Sequence, residues 1–231
     1  MKILALVPAY NEGARVANVV KGALTHLPVL VVDDGSTDET AGYAEAAGAL
    51  LHRQGTNQGK GAALKAGFAY AIQNGYEAVV MLDADMQHDP EEIPQFVQRY
   101  AAQRPDLIIG VRKFAQMPTL RRFTNTLGEW MFTWALGTRA RDNQSGYRLV
   151  GQRLMEVMLA SRETNFEFEV EMILECVKHG FQMDWVPIRT IYGDEKSHIR
   201  PLRHVVHFFR IVFYTRSEMN RVRRAAKSAE K

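Results

Sequence analysis

Short apolar runs and amphipathic stretches alternate along the first half of the chain. The apolar runs cover residues 3–7, 29–32, 50–52, 78–82 and 106–111, and many of their side chains are β-branched. Runs of this length and composition are typical of strands that are buried in a parallel sheet. The stretches between them carry apolar residues at helical spacing. The pattern therefore predicts an α/β fold with a mainly parallel sheet and helices on both of its faces.

The second half of the chain is less regular. Helical patterns cover residues 120–136 and 168–179, a polar turn covers 142–148, and strand-like runs cover 149–150 and 183–191. The first of these helices is rich in aromatic side chains, which could face either the core or lipid. The core is the commoner environment for any one of them, so we predict that they are buried. They belong to Phe123, Trp130, Phe132 and Trp134.

A basic tail ends the chain. Residues 196–231 contain 10 Lys and Arg residues against 2 Asp and Glu, whereas residues 1–195 contain 19 against 24. Within the tail, residues 199–224 carry apolar side chains at helical spacing among Arg and His, which is typical of a helix on an anionic membrane surface. The same pattern fits a helix that packs on the main domain, or one that contacts a second copy of the chain. We predict a main domain over residues 1–198 and a basic amphipathic helix over 199–231.

The cysteine content and the apolar segments narrow the class of protein. Cys176 is the single cysteine, which excludes a disulfide framework and a Cys-rich zinc site and fits a reducing compartment. Its apolar neighbours predict an inert core residue. We find no secretory pattern at residues 1–8, and the apolar stretch 205–214 is too short to span a bilayer. We therefore expect a cytoplasmic protein, which the basic tail could attach to the cytoplasmic face of a membrane.

Polar side chains follow three of the predicted strands. They occupy residues 8–12, 33–34 and 83–87, and the third set begins with Asp83-Ala84-Asp85. Because α/β sheets bind ligands at the carboxyl ends of their strands, these groups could serve one nucleotide. Two neighbouring carboxylates suit Mg²⁺ or Mn²⁺, although an isolated Asp-x-Asp is more often a solvated turn.

Two common nucleotide-binding motifs are missing from the sequence. The first strand is not followed by Gly-x-Gly-x-x-Gly, and the chain has no Gly-Lys-Ser/Thr phosphate loop. These motifs are the main sequence evidence for a dinucleotide-dependent oxidoreductase and for a P-loop NTPase, so the sequence supports neither class of enzyme.

Seven ordered segments carry a resemblance to a known family. They are residues 7–12, 31–38, 57–61, 83–88, 110–112, 142–148 and 192–197. Together they resemble the motifs of family 2 glycosyltransferases with the GT-A fold, and most of all those of the dolichol-phosphate mannosyltransferase and polyprenyl-phosphate sugar transferase branch. The resemblance spans about residues 3–215, and seven motifs in order are far more specific than any one of them. It implies a GT-A fold, with the main domain as the catalytic domain.

The resemblance also implies a role for each matching residue. The nucleotide-sugar would be bound by Pro8, Tyr10, Glu12, Val32, Asp33, Asp34, Lys60, Asp83, Ala84 and Asp85. A Mg²⁺ or Mn²⁺ ion would be bound by Asp83, Asp85 and Gln87. Arg112 and Arg121 would contact phosphates of the donor or acceptor, and Lys196 would cover the donor from a mobile loop. The predicted catalytic residues are therefore Asp85, Arg112, Arg121 and Lys196, together with Asp142, the remaining acid of these motifs, which would act as a base if the acceptor were a hydroxyl.

Two positions depart from the pattern of the dolichol enzymes. Asn125 stands where they have a serine near the acceptor phosphate, and its amide can still donate a hydrogen bond. Thr190 stands where they have an arginine that binds the donor, and Arg189 beside it would point to the other face of a strand. The donor is therefore open between mannose and glucose, and between GDP and UDP.

The predicted reaction is the attack of a lipid phosphate oxygen on the anomeric carbon of a nucleotide-sugar, with inversion. A phosphate monoester has a second pKa of roughly 6, so this nucleophile is anionic near neutral pH and needs no strong base. A saccharide or small-molecule hydroxyl would need a base, for which Asp142 is the first candidate and Glu169 the next.

A nucleotidyltransferase is the alternative from a different class of enzyme, but residues 8–12 lack the basic phosphate loop that it usually needs. The basic residues lie at one end of the chain without a nucleic-acid reader motif, so we expect no nucleic-acid partner.

Overall fold

A seven-stranded sheet runs through the centre of the protein, in the order β3-β2-β1-β4-β6-β5-β7. The computed structural model describes residues 1–112, 119–137, 142, 145–161, 163, 167–189, 212–221 and 224, with the backbone alone for 119–127 and 167. The strands are β1 (Ile3–Ala9), β2 (Val29–Asp33), β3 (Leu50–Arg53), β4 (Ala78–Met81), β5 (Leu107–Arg112), β6 (Arg148–Gly151) and β7 (Met183–Ile188).

The sheet is parallel apart from one strand. β1 pairs in parallel with β2 and β4, β2 with β3, and β5 with β7. β6 is antiparallel to both β4 and β5 and lies between them. The prediction of a mainly parallel sheet is confirmed, and the antiparallel insertion places the first residue of β6 beside the carboxyl end of β4.

Helices cover both faces of the sheet, as predicted. They are α1 (Arg15–Leu24), α2 (Thr40–Ala46), α3 (Lys60–Gln73), α4 (Ile93–Gln103), α5 (Thr119–Leu136), α6 (Gln152–Leu159), α7 (Glu167–Lys178) and α8 (residues 212–221), with a 3₁₀ turn at Pro90–Glu92. One apolar core joins the sheet to α1, α2 and α4, and the other joins it to α3, α5, α6, α7 and α8. Because both faces are covered, the strands carry continuous apolar runs rather than alternating ones.

The direction of the chain reverses between β1 and β4. From β1 the chain proceeds through β2 to the edge strand β3, and it then returns to β4 on the other side of β1. Crevices at the carboxyl ends of strands on either side of such a reversal are the usual ligand sites of open α/β sheets. The polar segments after β1, β2 and β4 therefore meet at one crevice.

The aromatic residues of α5 do not all face the core. Phe132 is fully buried as predicted, but Trp130 is 66% exposed and Trp134 is 47% exposed, so the prediction is wrong for both tryptophans. The two tryptophans are four residues apart and so share the outer face of the helix. The side chain of Phe123 lies outside the described residues. Cys176 is buried as predicted, and burial raises the pKa of its thiol.

The C-terminal helix α8 packs on the main domain. Val212 and Met219 are buried, and the guanidinium of Arg216 lies 4.7 Å from the centre of the Trp134 ring. Arg216 also donates a hydrogen bond of 3.2 Å to the carbonyl oxygen of Trp134. Residues 199–211 lie outside the described residues, so the division of the chain at residue 198 stays a prediction. None of the helices that the structure describes combines the length and apolar character needed to cross a membrane.

Candidate active site

The segments after β1 and β2 are tied together by short hydrogen bonds. The backbone N–H of Asn11 donates to Ser36 Oγ at 2.9 Å, and the backbone N–H of Thr37 donates to Asn11 Oδ1 at 2.9 Å. Asn11 has a φ of +53°, a left-handed conformation that asparagine tolerates better than most residues. These two strand exits therefore form one wall of the crevice.

The predicted nucleotide-binding residues lie along this wall. Pro8 of β1 is in register with Val32 of β2, and the Tyr10 side chain is exposed at the crevice end of β1. Glu12 forms an ion pair with Arg15 at 3.0 Å. The structure therefore brings these residues together, as expected if they line one binding surface.

The two carboxylates at the end of β2 are buried and hold the surrounding loops. Asp33 accepts a hydrogen bond from the backbone N–H of Ser36 at 3.0 Å and lies 3.2 Å from Arg53 Nε. Asp34 accepts from the backbone N–H groups of Gln58 and Gly59, both at 2.8 Å. Gly59 has a φ of +96° and is the N-cap of α3. Asp34 thus fixes the start of α3 and with it the position of the next residue, Lys60.

The paired carboxylates of Asp83 and Asp85 follow β4, where the sequence predicts them. Ala84 between them is buried, while Asp83 and Asp85 are half-buried and Gln87 is exposed. Asp85 accepts a hydrogen bond from the backbone N–H of Gln87 at 2.9 Å across Met86, which has a φ of +67°. This tight turn keeps Gln87 close in space to the two carboxylates, so that the three predicted metal ligands lie near one another.

Lys60 joins Asp83 to a second carboxylate. Its Nζ atom lies 2.5 Å from Asp83 Oδ1 and 2.8 Å from Glu169 Oε1. Burial alone would lower the pKa of Lys60, but the two carboxylates outweigh it and raise this pKa above its usual range. Burial alone would raise the pKa of Asp83, but Lys60 outweighs it and lowers this pKa to about 2. The side chains of Lys60, Asp83 and Glu169 are here called the Lys60 cluster.

His88 supports Asp83 as a neutral side chain. Its Nδ1 atom accepts a hydrogen bond of 3.0 Å from the backbone N–H of Asp83, so the ring proton is on Nε2. Burial lowers the pKa of His88, in agreement with a neutral ring, although Asp83 Oδ2 lies 3.7 Å from Nδ1. The ring packs on Tyr147, with 4.9 Å between the ring centres.

The segment that leads into β6 covers the Lys60 cluster. A Cβ atom on Gly146 would lie 2.9 Å from Asp83 Oδ2, 3.1 Å from Glu169 Oε1 and 3.2 Å from Lys60 Nζ. Arg148 is fully buried and donates to the backbone carbonyls of Ser145, at 2.7 Å, and of Glu169. A side chain at position 146 would therefore press on the ends of these three side chains, while Arg148 fixes the two backbone segments around them.

Arg112 and Asp142 form a bidentate pair at the end of β5. Arg112 donates from Nε to Asp142 Oδ2 at 2.8 Å and from Nη2 to Asp142 Oδ1 at 2.6 Å. The backbone N–H of Arg112 also donates to Asp142 Oδ2 at 3.0 Å. The Asp142 carboxylate is almost fully buried, whereas the guanidinium is one quarter exposed. Asp142 is thus placed to hold the guanidinium in one orientation at the crevice.

Four residues of the sequence argument cannot be placed. The backbone of Arg121 and Asn125 belongs to α5, but their side chains lie outside the described residues. Thr190 and Lys196 also lie outside them.

The donor set at the end of β4 fits a divalent ion that is shared with a substrate. Asp83 and Asp85 offer carboxylate oxygens and Gln87 offers an amide oxygen, the hard donors that Mg²⁺ and Mn²⁺ prefer. Within the described part of the chain, no three His, Cys, Asp or Glu side chains are grouped so that they could hold a metal. Mg²⁺ sites of this kind use one or two carboxylates and take further ligands from substrate phosphates and water.

Sequence reasoning missed part of the site. The sequence predicts Glu169 only as a second candidate base, and it places His88, Gly146 and Arg148 only within motifs. The role of Arg148 could have been predicted, because an arginine at the start of an apolar strand is buried only where acceptor or anionic groups lie beside it. The partners of Lys60 could not, since they come from distant parts of the chain.

Comparison with known proteins places most of the sheet within one family. The model of the family described as "Glycosyl transferase family 2" matches residues 5–162. An undecaprenyl-phosphate mannosyltransferase of Micrococcus luteus is 32% identical over 207 residues, which cover 83% of this chain and 84% of that protein. A UDP-N-acetylglucosamine–dolichyl-phosphate N-acetylglucosaminyltransferase of Methanococcus voltae is 29% identical over 220 residues, covering 83% and 86%.

Two further comparisons agree with these. A polyprenol monophosphomannose synthase of Mycolicibacterium smegmatis is 29% identical over 205 residues, covering 81% of this chain and 76% of that protein. Among solved structures, glucosyl-3-phosphoglycerate synthase from Mycobacterium tuberculosis in complex with Mn²⁺, UDP and phosphoglyceric acid superposes with a TM-score of 0.73 at 20% identity. That match covers 93% of this chain and 76% of the solved one, and it confirms the GT-A fold.

Proposed function

Because the chain belongs to glycosyl transferase family 2, we propose that it transfers a mannosyl or glucosyl group from a GDP- or UDP-sugar to a polyprenyl phosphate. The names of three relatives support the acceptor, since they specify undecaprenyl phosphate, dolichyl phosphate and a polyprenol product. The matches cover at least 81% of this chain and at least 76% of each of these relatives. Membership of this family also removes the support for a nucleotidyltransferase. We assign the catalytic role to residues 1–198.

The observation that carries the choice of acceptor is the state of the two candidate bases. Asp142 is buried in a bidentate pair with Arg112, and Glu169 is buried against Lys60. Arg112 occupies both oxygens of Asp142, and Lys60 lies against Glu169, so neither carboxylate is open to accept a hydrogen bond from an acceptor hydroxyl. A hydroxyl acceptor would need one of these groups to take up a proton. A phosphate acceptor needs no base, because it is already anionic.

The transfer forms a bond between a phosphate oxygen of the lipid and the anomeric carbon. It breaks the bond between that carbon and the nucleoside diphosphate, which leaves with its bonding electron pair. Attack from the face opposite the leaving group inverts the configuration. Both the nucleophile and the leaving group are anionic, so the site must supply positive charge on two sides.

Basic side chains and a divalent ion would supply that charge. Asp83, Asp85 and Gln87 would hold Mg²⁺ or Mn²⁺, and the bound ion would neutralise charge on the diphosphate as a Lewis acid. Solved structures with this fold contain Mn²⁺ or Mg²⁺ together with UDP. Arg112, oriented by Asp142, would present its guanidinium to a phosphate, a geometry that suits arginine. Arg121 and Lys196 are assigned the same kind of role from the sequence motifs alone.

The wall formed by the ends of β1 and β2 would bind the nucleotide. Tyr10 and Pro8 offer apolar surface for a base, and the adjacent carboxylates of Asp33 and Asp34 shape the loops around a ribose. Glu12 and Val32 complete this surface, and Lys60 with Ala84 links it to the acidic pair after β4.

An aromatic surface on α5 and α8 would bring the enzyme to its lipid acceptor. It consists of Trp130, Trp134, Phe213 and Tyr214, all of them at least 47% exposed. The guanidinium of Arg216 in α8 lies over the Trp134 ring of α5, so the two helices are in contact at this surface. Tryptophan and tyrosine favour the membrane interface, and the basic tail would favour anionic lipid headgroups. We infer peripheral attachment to the cytoplasmic face of a membrane.

Transfer of labelled sugar into an organic-extractable lipid tests the proposal. GDP-mannose and UDP-glucose are offered separately with polyprenyl phosphate, with Mg²⁺ or with EDTA, to the wild type and to Asp85→Ala. We expect label in the lipid phase with one donor, only with metal and only in the wild type. Metal-dependent release of the nucleotide without a lipid product would contradict the phosphate acceptor and favour a hydroxyl acceptor.

A further inference from the structure

Lys60 contacts the same carboxylate that is assigned to the divalent ion. Its ammonium lies 2.5 Å from Asp83 Oδ1, within the distance of a direct ion pair. The contact is mostly shielded from water, because the Lys60 side chain is 18% exposed. Screening by water is weak in such a place, so two cations on one carboxylate repel each other strongly. A divalent ion at Asp83 would therefore compete with the ammonium.

Glu169 is a second partner that the ammonium already contacts. Its Oε1 atom lies 2.8 Å from Lys60 Nζ, and its side chain is almost fully buried. A buried carboxylate without a cation is costly, so Glu169 keeps Lys60 in the cluster when its contact with Asp83 weakens. A Cβ atom on Gly146 would lie 2.9 Å from the other oxygen of Asp83, Oδ2, 3.1 Å from Glu169 Oε1 and 3.2 Å from Lys60 Nζ, which leaves little room for the ammonium to move elsewhere.

We propose that Lys60 is a positioning residue whose ammonium occupies the place of the divalent ion at Asp83. When a nucleoside diphosphate brings the ion, Lys60 gives up its contact with Asp83 and keeps its contact with Glu169. The inference rests on the proposed function. Its consequence is that the ion binds weakly to the protein alone and tightly together with the diphosphate, whose negative charge offsets the repulsion from Lys60. Metal and donor would then enter together, and the metal-free enzyme would keep Asp83 neutralised by its own lysine.

Binding of Mn²⁺, followed by electron paramagnetic resonance, tests this assignment. In the wild type without nucleotide we expect weak binding, and UDP or GDP should tighten it by about tenfold or more. Lys60→Met should tighten nucleotide-free binding by about tenfold, because Asp83 is released. Lys60→Gln is the second variant, since it keeps a hydrogen-bond donor between the carboxylates and removes only the charge. Lys65→Met is the matched control on the same helix, where Lys65 Nζ donates to the backbone carbonyl of Ser161.

Glu169→Gln tests whether Glu169 acts on the ion through Lys60 or only through its own negative charge. With Glu169 neutral, Lys60 should bind Asp83 more firmly and weaken Mn²⁺ binding severalfold. If Lys60 causes the weaker Mn²⁺ binding, Glu169→Gln should change Mn²⁺ affinity very little in a protein that also carries Lys60→Met. If the cause is only the lost negative charge of Glu169, the substitution should weaken Mn²⁺ binding equally with and without Lys60→Met. Circular dichroism and thermal unfolding of each variant verify that the proteins are folded.

Distinct outcomes overturn the inference and the proposed function. Wild-type Mn²⁺ affinity in both Lys60→Met and Lys60→Gln would show that Lys60 does not compete for Asp83, and it would leave the transfer reaction standing. A nucleotide effect of equal size in the wild type and in Lys60→Met would also overturn the inference. Failure of every variant to bind Mn²⁺, even with UDP or GDP, would overturn both the inference and the metal-dependent reaction.

Discussion

Asp142→Asn distinguishes a carboxylate that positions Arg112 from one that acts as a base. The substitution keeps the size of the side chain and removes its charge. Asp142 accepts three hydrogen bonds from Arg112, at 2.6, 2.8 and 3.0 Å, and an asparagine oxygen can replace only part of them. The new amide would also direct N–H groups at a guanidinium that has no acceptor.

The expected loss of stability follows from the burial of the pair. Removing one partner of a fully buried ion pair costs about 3–5 kcal/mol. Since the Arg112 side chain is 25% exposed, water can solvate the remaining charge in part, and we expect about 2 kcal/mol. For a chain of this size, such a loss lowers the melting temperature by about 4–8 °C.

Thermal unfolding and transfer kinetics are measured on the same preparations. A positioning role predicts the loss of stability and a higher KM for the lipid phosphate, with a kcat that falls much less than the thousandfold or so expected on removing a base. Arg112→Lys should reproduce the rise in KM, because lysine cannot form the bidentate pair. An Asp142→Asn enzyme of unchanged melting temperature and strongly reduced kcat would refute this reasoning and restore Asp142 as the base.

Three further predictions concern other parts of the molecule. Gly146→Ala should destabilise the protein by about 1–3 kcal/mol in urea unfolding and weaken Mn²⁺ binding, because its Cβ atom presses on the Lys60 cluster; Gly55→Ala, which meets no atom within 4 Å, is the control and should change neither. Alanine at Trp130 and Phe213, the two most exposed residues of the aromatic surface, should reduce co-sedimentation with anionic vesicles and change the melting temperature little, and equal binding by wild type and variant would contradict the assignment. Arg104 lowers the pKa of Glu77 from 4.5 to about 2. The Glu77 carboxylate therefore stabilises the fold above about pH 4.5, and this contribution is lost as the pH falls to about 2. Glu77→Gln should remove this pH dependence from the free energy of unfolding measured between pH 2 and 4.5.

The sequence predicts most of the scaffold because parallel strands that are covered on both faces have a simple signature. The runs at 3–7, 29–32 and 78–82 are short, apolar and fully or almost fully buried, and the acidic pair follows the last of them directly. The position of Asp83 and Asp85 relative to the sheet could therefore be read from the chain. The place of β6 could not, because nothing in the pattern of residues 148–151 says that this strand enters the sheet in the opposite direction.

The interior of the site could not be predicted for a related reason. Lys60 belongs to the start of α3, Asp83 to the end of β4 and Glu169 to α7, and only the completed fold brings them within 3 Å. The exposure of Trp130 and Trp134 could not be decided from the sequence either, because an aromatic-rich helix does not reveal which of its residues face the core. Average burial preferences favour the core for each aromatic residue, and they do not say which face of a helix is turned outward.

The acids around the crevice are neutralised by basic side chains from distant parts of the chain, and this governs how any variant must be interpreted. Asp33 faces Arg53, Asp83 faces Lys60, and Asp142 faces Arg112. Removing one charge therefore leaves an opposite charge in a partly buried place, which lowers stability whether or not the residue takes part in the reaction. A loss of activity alone is thus no evidence for a catalytic role in this crevice. Paired substitutions that remove both charges separate the loss of stability from the loss of catalysis. The double variant leaves no unpaired charge, so a loss of transfer activity that remains in it reports on the reaction itself.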